Sequence, residues 1–347
     1  MNKKRILIPL YIIGHFAVDF ACAFLLFHIL YQTQEWYLGL LYYNFCAFAL
    51  QMPLGLLADR WNHNSLCAAL GCGMIALAYV VCIVGILPTI LPVVIVAGIG
   101  NGLFHIGAGI DVLNVSKEKA YLLGIFVSPG ALGIFLGTML GKHNDLSIWI
   151  VLVALLVIAF SIMLAGYSQN RSFQSDNVPI SFQQINSSAI LIAIGCLLAV
   201  VCLRSYVGMC YNFSWKGQGA WGIILLLAVV LGKFSGGFLS DKMGVKKAAV
   251  LSLGFAGVLY LFSNNPFLGV AAVFLFNMTM PITLWAIARI LKGCKGFSFG
   301  LLTFVLFLGF TPTYFEVTPF ITNPTGLAIA AFGSLVLLWL GLHKAVV

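Results

Sequence analysis

Charged side chains are scarce in this chain of 347 residues, since Asp, Glu, Lys and Arg together make up only 8% of it. Soluble domains carry about one-quarter charged residues, so the composition excludes an ordinary soluble protein. Hydrophobic residues account for 62% of the chain, and the mean hydropathy is +1.07. The sequence therefore predicts an integral membrane protein.

The signatures of several enzyme classes are also missing. The sequence has no G-x-x-x-x-G-K-[ST] loop for ATP and no H-E-x-x-H zinc motif. Its nine cysteines include no C-x-x-C pair, which argues against a disulfide framework or a thiolate metal site. We therefore expect no enzyme, no cofactor and no resident metal. Energy for any transport must then come from an ion gradient or from the substrate.

Long apolar runs occupy most of the chain. A helix needs about 20 residues to cross a hydrocarbon core of about 30 Å, whereas membrane β-strands are segments of about ten alternating residues. The continuous runs of this sequence therefore predict an all-α integral membrane fold with twelve transmembrane helices. Their expected limits are 6–30, 36–58, 65–86, 90–113, 120–141, 147–167, 189–211, 219–240, 248–264, 266–288, 297–315 and 325–343.

The Lys and Arg residues between the runs indicate the orientation, because cytoplasmic loops are enriched in them. If the N-terminus lies in the cytoplasm, Lys142 and Lys216 are the only Lys or Arg residues between the runs that lie on the outer side of the membrane. We therefore expect a multi-pass protein of the inner or plasma membrane with both termini in the cytoplasm. The net charge of +9 is then a topology signal and does not imply nucleic-acid binding. The residues expected on the cytoplasmic side are Lys3, Lys4, Arg5, Arg60, Lys117, Lys119, Arg171, Lys242, Lys246, Lys247, Arg289, Lys292, Lys295 and Lys344.

A long polar stretch after the sixth run divides the chain into two similar halves. A charged strip follows the second run of each half, GLLADRWNHN at 55–64 and GGFLSDKMGVKK at 236–247, with Asp59 and Asp241 182 residues apart. Such a duplication, with an even number of spans per half, is typical of transporters with parallel repeats. We predict an N-terminal six-helix bundle at 1–167, a cytoplasmic linker at 168–188 and a C-terminal six-helix bundle at 189–347.

The two strips resemble the loop signature G-x-x-x-D-R/K-x-G-R/K-R/K of the major facilitator superfamily. The resemblance implies two pseudo-symmetric bundles and transport by alternating access. It also implies that each strip is a conformational latch, which holds neighbouring helices in the inward-closed arrangement through charge and helix-end contacts. The matching residues are Gly55, Asp59 and Arg60 in the first latch, and Gly237, Asp241, Lys242 and Gly244 in the second latch.

The first strip departs from the signature, because Asn62 stands where the second glycine belongs and no basic pair follows it. This departure predicts that the first latch is the weaker one. In the second strip, Lys246 and Lys247 complete the signature, but lysines at this place could also do no more than fix the orientation.

Ionisable groups inside the runs are few and cost roughly 2.5 to 3.5 kcal/mol each at the membrane centre. Asp19 lies roughly 20 Å along the first run and Arg204 roughly 22 Å along the seventh, and His15 is one turn from Asp19. We predict that these groups, with His105 of the fourth run, form a proton and anion site. Asp111, near the end of a run, is expected to reach the interface.

Further polar side chains are expected near the middle of the membrane. Asn101 in the fourth run and Asn277 in the tenth both fall roughly 15 Å from the outer face, and Thr279 and Thr283 follow. We predict that Asn101, Asn277 and Thr279 contribute to the substrate site. The alternative for each of them is a hydrogen bond between neighbouring helices.

The fifth run carries Gly133, Gly137 and Gly141 at four-residue spacing, which predicts a seam of close helix packing. Pro129 and Gly130 precede the seam and predict a bend. The run loosely resembles the glycine- and proline-bearing fifth helix of the superfamily's antiporters, with the order of the Gly-Pro pair reversed. This resemblance favours an antiporter that works in efflux.

A narrower resemblance connects three stretches with the fosmidomycin-resistance branch of the superfamily, whose members export small molecules. The stretches are HFAVDFACAFLL, GLFHIGAG and LRSYVG. The residues that carry this match are His15, Asp19, His105, Arg204 and Ser205.

The sequence thus predicts a proton-coupled secondary transporter of a small organic or amphipathic anion, with export favoured and a monomer in the bilayer as the working unit. One alternative is a divalent-metal transporter that uses His15, Asp19 and His105 as ligands. An intramembrane enzyme with the same three side chains as acid and base groups is a second alternative.

Overall fold

The computed structural model describes residues 4–31, 33, 36–85, 89–143, 145–167, 187–315 and 321–345. The described residues form helices joined by short turns, with no strand among them. Most of the predicted linker, residues 168–186, lies outside the described part of the chain. The prediction of an all-α membrane fold is confirmed.

Twelve helical segments occur at the predicted places. Eleven are long and apolar enough to cross a membrane by length and composition, and α9, with 17 residues, reaches the lower limit of a crossing helix. The helices are α1 Lys4–Leu30, α2 Trp36–Trp61, α3 Asn64–Val84, α4 Leu91–Ser116, α5 Tyr121–His143, α6 Ile148–Tyr167, α7 Ser188–Cys210, α8 Trp221–Met243, α9 Val245–Leu261, α10 Pro266–Ile290, α11 Lys295–Phe315 and α12 Pro324–Ala345.

Two of these helices are interrupted within three residues of a proline. In α5 the interruption is at Ser128, directly before Pro129, which confirms the predicted bend. In α10 it is at Met278. Pro281 explains this second break, because proline has no N–H to donate to the carbonyl of Asn277 and its ring crowds that carbonyl. The helix α2 instead contains a π-helical turn at Phe45–Ala49.

The chain forms two compact units. The first comprises Met1–Val115, Pro129–Pro179 and Gly293–Phe304, and the second comprises Ser116–Ser128, Ile180–Lys292 and Val305–Val347. The start of α5 therefore belongs to the second unit and the start of α11 to the first. The domain boundaries at 167 and 189 stay a prediction.

Within the first unit, the glycine seam of α5 packs against α1. A Cβ atom added at Gly133, Gly137 or Gly141 would collide with the carbonyl oxygens of Phe16, Phe20 and Phe24, respectively. Such close approach of two helix backbones requires glycine, so the predicted seam is confirmed. The seam fixes the register of α1 and α5, and with it the position of the polar residues of α1.

Candidate functional site

The predicted polar cluster of the first unit centres on Asp19. Its Oδ2 lies 3.3 Å from Nε2 of His15, and its Oδ1 lies 3.7 Å from Nε2 of His105. Asn101 donates a hydrogen bond from Nδ2 to Asp19 Oδ1 at 3.0 Å. All four side chains are buried. Residues of α1 and α4, 82 or more positions apart in sequence, thus surround one carboxylate.

The hydrogen bonds of His105 define which of its ring nitrogens carries hydrogen. Its Nδ1 lies 2.9 Å from the backbone carbonyl oxygen of Asn101. Because a carbonyl oxygen can only accept a hydrogen bond, we assign the proton to Nδ1. In the neutral ring Nε2 then carries a lone pair, which faces Asp19. Two acceptors then face each other across 3.7 Å. This arrangement is favourable only when a proton or another cation lies between them.

The packing of α5 holds the cluster from one side. A Cβ atom at Gly130 would collide with Oδ2 of Asp19 and with Nε2 and Cδ2 of His15. Gly130 is one turn before Gly133 and extends the seam to the cluster. The edge-to-face contact of the His15 and His105 rings, with centroids 4.5 Å apart, also restrains the imidazoles.

In the second unit, Arg204 of α7 is buried and lacks an acidic partner among the described residues. Its NH1 group donates to the hydroxyl of Thr283 at 3.4 Å, which is a long hydrogen bond. The Thr283 hydroxyl itself donates to the Met280 carbonyl. A buried guanidinium with one weak described contact is poorly compensated for the loss of hydration, and an anion would provide that compensation.

The two predicted site residues of α10 form local hydrogen bonds. The Asn277 side chain donates to the Val273 carbonyl at 2.8 Å, and the Thr279 hydroxyl donates to the Phe276 carbonyl at 2.9 Å. Both lie at the break of α10 around Met278, where these bonds satisfy backbone carbonyls. Their role in substrate binding stays a prediction.

The first latch caps α11. Asp59, only 2% exposed, accepts hydrogen bonds from the backbone N–H groups of Gly296 at 2.8 Å and Phe297 at 2.9 Å. A Cβ atom at Gly55 would collide with the Gly296 carbonyl, so glycine is needed for this approach. Arg60 is exposed in the last turn of α2. A carboxylate at a helix N-terminus is stabilised by the unsatisfied N–H groups and the helix dipole.

Cys294 borders the first latch and is fully buried. Burial raises the pKa of the Cys294 thiol to about 11, and the negative charge of Asp59 contributes to this shift. The thiol is therefore protonated and unreactive near neutral pH.

The second latch makes the equivalent contacts at the start of α5. Asp241 accepts hydrogen bonds from the backbone N–H groups of Ala120 at 2.7 Å and Tyr121 at 3.0 Å. A Cβ atom at Gly237 would collide with the Ala120 carbonyl at 2.5 Å. Asp241 and Lys242 are exposed. Gly244 has a φ of +87°, which glycine adopts without strain.

The structure shows two backbone contacts in each latch. The first latch keeps both backbone contacts despite its departures from the signature, and its carboxylate is buried, whereas Asp241 is exposed. Buried charge-assisted hydrogen bonds are less screened than exposed ones. The contacts therefore give no sign of a weakened first latch, and the order of the two latches stays a prediction.

Sequence reasoning missed a third buried carboxylate in the first unit, besides Asp19 and Asp59. Asp111, expected to reach the interface, is only 1% exposed and accepts hydrogen bonds from the Tyr11 hydroxyl and the Asn64 side chain, both at 2.7 Å. A charged residue near a helix end is ordinarily placed at the interface. The signal available in the sequence was the polar start of α3 at Asn64, which gives Asp111 a buried donor.

Comparison with solved structures supports the architecture across the whole chain. The E. coli fucose:proton symporter FucP matches with a TM-score of 0.68 and 13% identity over 98% of both chains. The human organic anion transporter MFSD10 matches with a TM-score of 0.69 and 13% identity over 98% of this chain and 100% of the MFSD10 chain. A bacterial homologue of the iron transporter ferroportin matches with a TM-score of 0.60 and 13% identity over 98% of both chains. No family model matches the sequence, and no curated protein matches it.

The chain has the major facilitator fold. Identities of 13% establish the fold alone. The chain is therefore a multi-pass membrane protein of that fold, as the resemblance of the two charged strips implied. The matches are transporters and not enzymes, and they do not distinguish among the branches of the superfamily.

Proposed function

We propose that the protein is a proton-coupled secondary transporter that moves a small organic or amphipathic anion by alternating access, with export favoured. Asp19, with His15, His105 and Asn101, would take up and release the proton. Arg204 would bind the substrate anion, with Asn277 and Thr279 as further contacts. We place it in the plasma or inner membrane, with both termini in the cytoplasm, as a monomer.

The observation that supports proton coupling is that His105 Nε2 faces Asp19 Oδ1 at a distance of 3.7 Å. A proton between these atoms converts a repulsive contact into a charge-assisted hydrogen bond. In the described part of the chain, no Lys or Arg forms an ion pair with Asp19. The charge of the cluster therefore depends on protons, which is what a coupling group requires.

Arg204 is the reason for proposing an anionic substrate. Its planar group can hold a carboxylate, phosphate or phosphonate through two parallel hydrogen bonds, which a lysine cannot do. Among the solved proteins with this fold, MFSD10 is an organic anion transporter and FucP is a proton symporter. Export rests on the bent α5 and on the resemblance to antiporters.

The test begins with ligand screening of the purified protein against carboxylates, phosphates and phosphonates. A ligand at 100 times its dissociation constant adds about 2.7 kcal/mol of apparent stability. Each anion that raises the unfolding temperature is then loaded into proteoliposomes, and its flux is followed with and without an imposed pH gradient. We expect gradient-driven flux that is lost in Asp19→Asn. Equal gradient-driven flux in wild type and Asp19→Asn would refute proton coupling through this cluster.

A divalent-metal transporter is the second candidate. The ligand atoms of His15, Asp19 and His105 lie within 4.8 Å of one another, so one cation could contact all three. Imidazole and carboxylate together suit Zn²⁺, Fe²⁺ and Mn²⁺. One solved protein with this fold is a bacterial homologue of the iron transporter ferroportin.

Arg204 distinguishes the two candidates. If the substrate is an anion, Arg204→Gln abolishes its transport. If it is a metal ion, Arg204→Gln leaves Zn²⁺ or Mn²⁺ uptake intact, whereas His105→Ala abolishes it. Metal affinity should also fall as the pH is lowered, because both imidazoles must be deprotonated to bind.

A further inference from the structure

Two lysines of the second charged strip contribute nothing to the second latch. Lys246 and Lys247 lie in the first turn of α9, beyond Gly244. Within the described part of the chain neither forms an ion pair, and Lys247 is exposed. Two adjacent positive charges without acidic partners attract a negatively charged group.

The two lysines line one end of a groove of about 370 Å³ on the surface of the second unit. The other lining residues are Val250 and Leu251 of α9 and Trp339 of α12. These three apolar side chains are all exposed. The groove therefore combines two ammonium groups with an apolar wall.

More positive charge lies at the same end of the helix pair. The helices α9 and α12 run antiparallel, because Gly257 near the end of α9 packs against the ring of Phe332 in the first half of α12. His343 and Lys344 are exposed in the last turn of α12, and the His343 ring stacks on Trp339 with centroids 5.3 Å apart.

Beyond the groove, the apolar surface continues along α9. A Cβ atom at Gly254 would meet nothing within 4 Å, and Phe255 and Val258 are exposed. From Val250 to Val258 this surface extends about 12 Å along the helix axis. An acyl chain can lie along such a surface, and the indole of Trp339 is suited to the boundary between headgroup and hydrocarbon.

From these features we propose that the groove between α9 and α12 is a binding site for an anionic membrane phospholipid. The phosphate contacts the ammonium groups of Lys246 and Lys247, the glycerol region lies against Trp339, and one acyl chain follows Val250, Leu251 and Gly254. Basic pockets between transmembrane helices on the cytoplasmic side are suited to anionic headgroups. The volume is within the range of small-ligand pockets.

The test uses the full-length protein in detergent, with lipids added at defined ratios and counted by native mass spectrometry. Phosphatidylglycerol is the anionic probe, and phosphatidylcholine with the same acyl chains is the neutral probe. Each lysine near a membrane surface contributes about 1 kcal/mol to attraction of anionic lipid, which is about fivefold in affinity. We expect Lys246→Gln/Lys247→Gln to weaken phosphatidylglycerol binding by about 30-fold and to leave phosphatidylcholine binding unchanged.

A matched control removes two lysines elsewhere on the same predicted membrane face. Lys117 and Lys119 are both exposed and lie outside the groove. Lys117→Gln/Lys119→Gln should retain the wild-type affinity for phosphatidylglycerol. If it weakens binding as much as the groove variant does, attraction is due to overall charge and the proposed site is wrong.

A second variant tests the apolar wall without any change of charge. Gly254→Trp places a large side chain on the apolar surface next to the groove, where the acyl chain would lie, and we expect it to weaken phosphatidylglycerol binding at least fivefold. Wild-type binding in both Gly254→Trp and the double lysine variant would overturn the proposal. Free glycerol phosphate serves as a further probe. If it binds as tightly as the lipid, the ligand is a soluble phosphate and the proposal of a phospholipid fails.

Discussion

Asn62 occupies, in the first latch, the position that Gly244 occupies in the second, and both residues have positive φ angles, +55° and +87°. Asn62 is the C-cap of α2, where its N–H donates to the Ala58 carbonyl at 2.8 Å. Asparagine adopts this left-handed conformation more readily than other non-glycine residues. Their ψ angles differ, +35° at Asn62 and +145° at Gly244, so Asn62 does not reproduce the glycine turn but forms a left-handed C-cap of its own at the end of α2.

The first prediction concerns this turn. Asn62→Gly should leave thermal stability within about 0.5 kcal/mol of wild type, whereas Asn62→Ala should cost about 1 to 2 kcal/mol because alanine is strained in the left-handed region. Unfolding followed by a thiol-reactive dye in detergent measures both. Equal stability of the two variants would mean that the turn at Asn62 is not constrained by its φ angle.

The second prediction uses Cys294 as a reporter of the first latch. Asp59→Asn removes the negative charge that helps to raise the pKa of the Cys294 thiol and weakens the cap that buries it. A lower pKa means more thiolate at a given pH, so alkylation of Cys294 should become at least about fivefold faster near pH 8. Mass spectrometry of the peptide that contains Cys294 measures the rate and separates it from other cysteines.

Asp241→Asn is the matched control for this experiment, because it changes the second latch by the same chemistry. Its effect on Cys294 should be negligible, and hydrogen exchange at Ala120 and Tyr121 should increase instead. Faster alkylation of Cys294 in Asp241→Asn than in Asp59→Asn would contradict the use of Cys294 as a reporter of the first latch.

Sequence reasoning predicted the features that depend on period and composition. Apolar length indicated the twelve helices, four-residue glycine spacing indicated the α1–α5 seam, and Pro129 indicated the bend of α5. The i, i+4 spacing also brought His15 to Asp19. These features are local, so a single stretch of sequence contains the information that determines them.

The features that sequence reasoning missed depend on contacts between distant segments. Asp111 is buried because Tyr11 and Asn64, 100 and 47 positions away, donate to it. The contacts of the first latch depend on how deeply Asp59 is buried against the start of α11, 237 residues further on. No spacing rule contains this burial, and the departure at Asn62 did not indicate it.

A third prediction tests the contact of Gly130 with the polar cluster. In Gly130→Ala the added methyl group displaces the flexible side chains of Asp19 and His15, so the protein should fold but lose most pH-gradient-driven flux. In Gly137→Ala the methyl group meets the rigid backbone carbonyl of Phe20, so stability should fall by about 1 to 3 kcal/mol. Thermal unfolding and flux are measured on both.

Gly195→Ala is the control, since a Cβ atom there meets nothing within 4 Å and the substitution should be harmless. Wild-type coupling in Gly130→Ala would show that the cluster tolerates displacement and does not carry the proton.

A fourth prediction compares two buried tyrosines. The Tyr11 hydroxyl donates to the Asp111 carboxylate at 2.7 Å, and the Tyr79 hydroxyl donates to the Ala21 backbone carbonyl at 2.8 Å. Hydrogen bonds to charged acceptors are worth about 1.5 to 3 kcal/mol and those to neutral acceptors about 0.5 to 1.5 kcal/mol. Tyr11→Phe should therefore destabilise the protein more than Tyr79→Phe in equilibrium unfolding. The reverse order would argue that Asp111 is neutral in the folded protein.

The last prediction concerns Arg204, whose only hydrogen bond to a described residue is the long one to Thr283. The protein is screened against carboxylates, phosphates and phosphonates by thermal shift, in wild type and in three variants. Arg204→Lys keeps the charge but cannot make two parallel hydrogen bonds, so a bound anion should lose about tenfold or more in affinity. Arg204→Gln should show no anion-dependent stabilisation. Thr283→Val removes the neighbouring hydroxyl and leaves the guanidinium, so it should retain binding and serves as the control for local packing. An anion that stabilises Arg204→Gln as much as wild type would show that Arg204 does not bind it, and a neutral or cationic substrate would become the better account of the site.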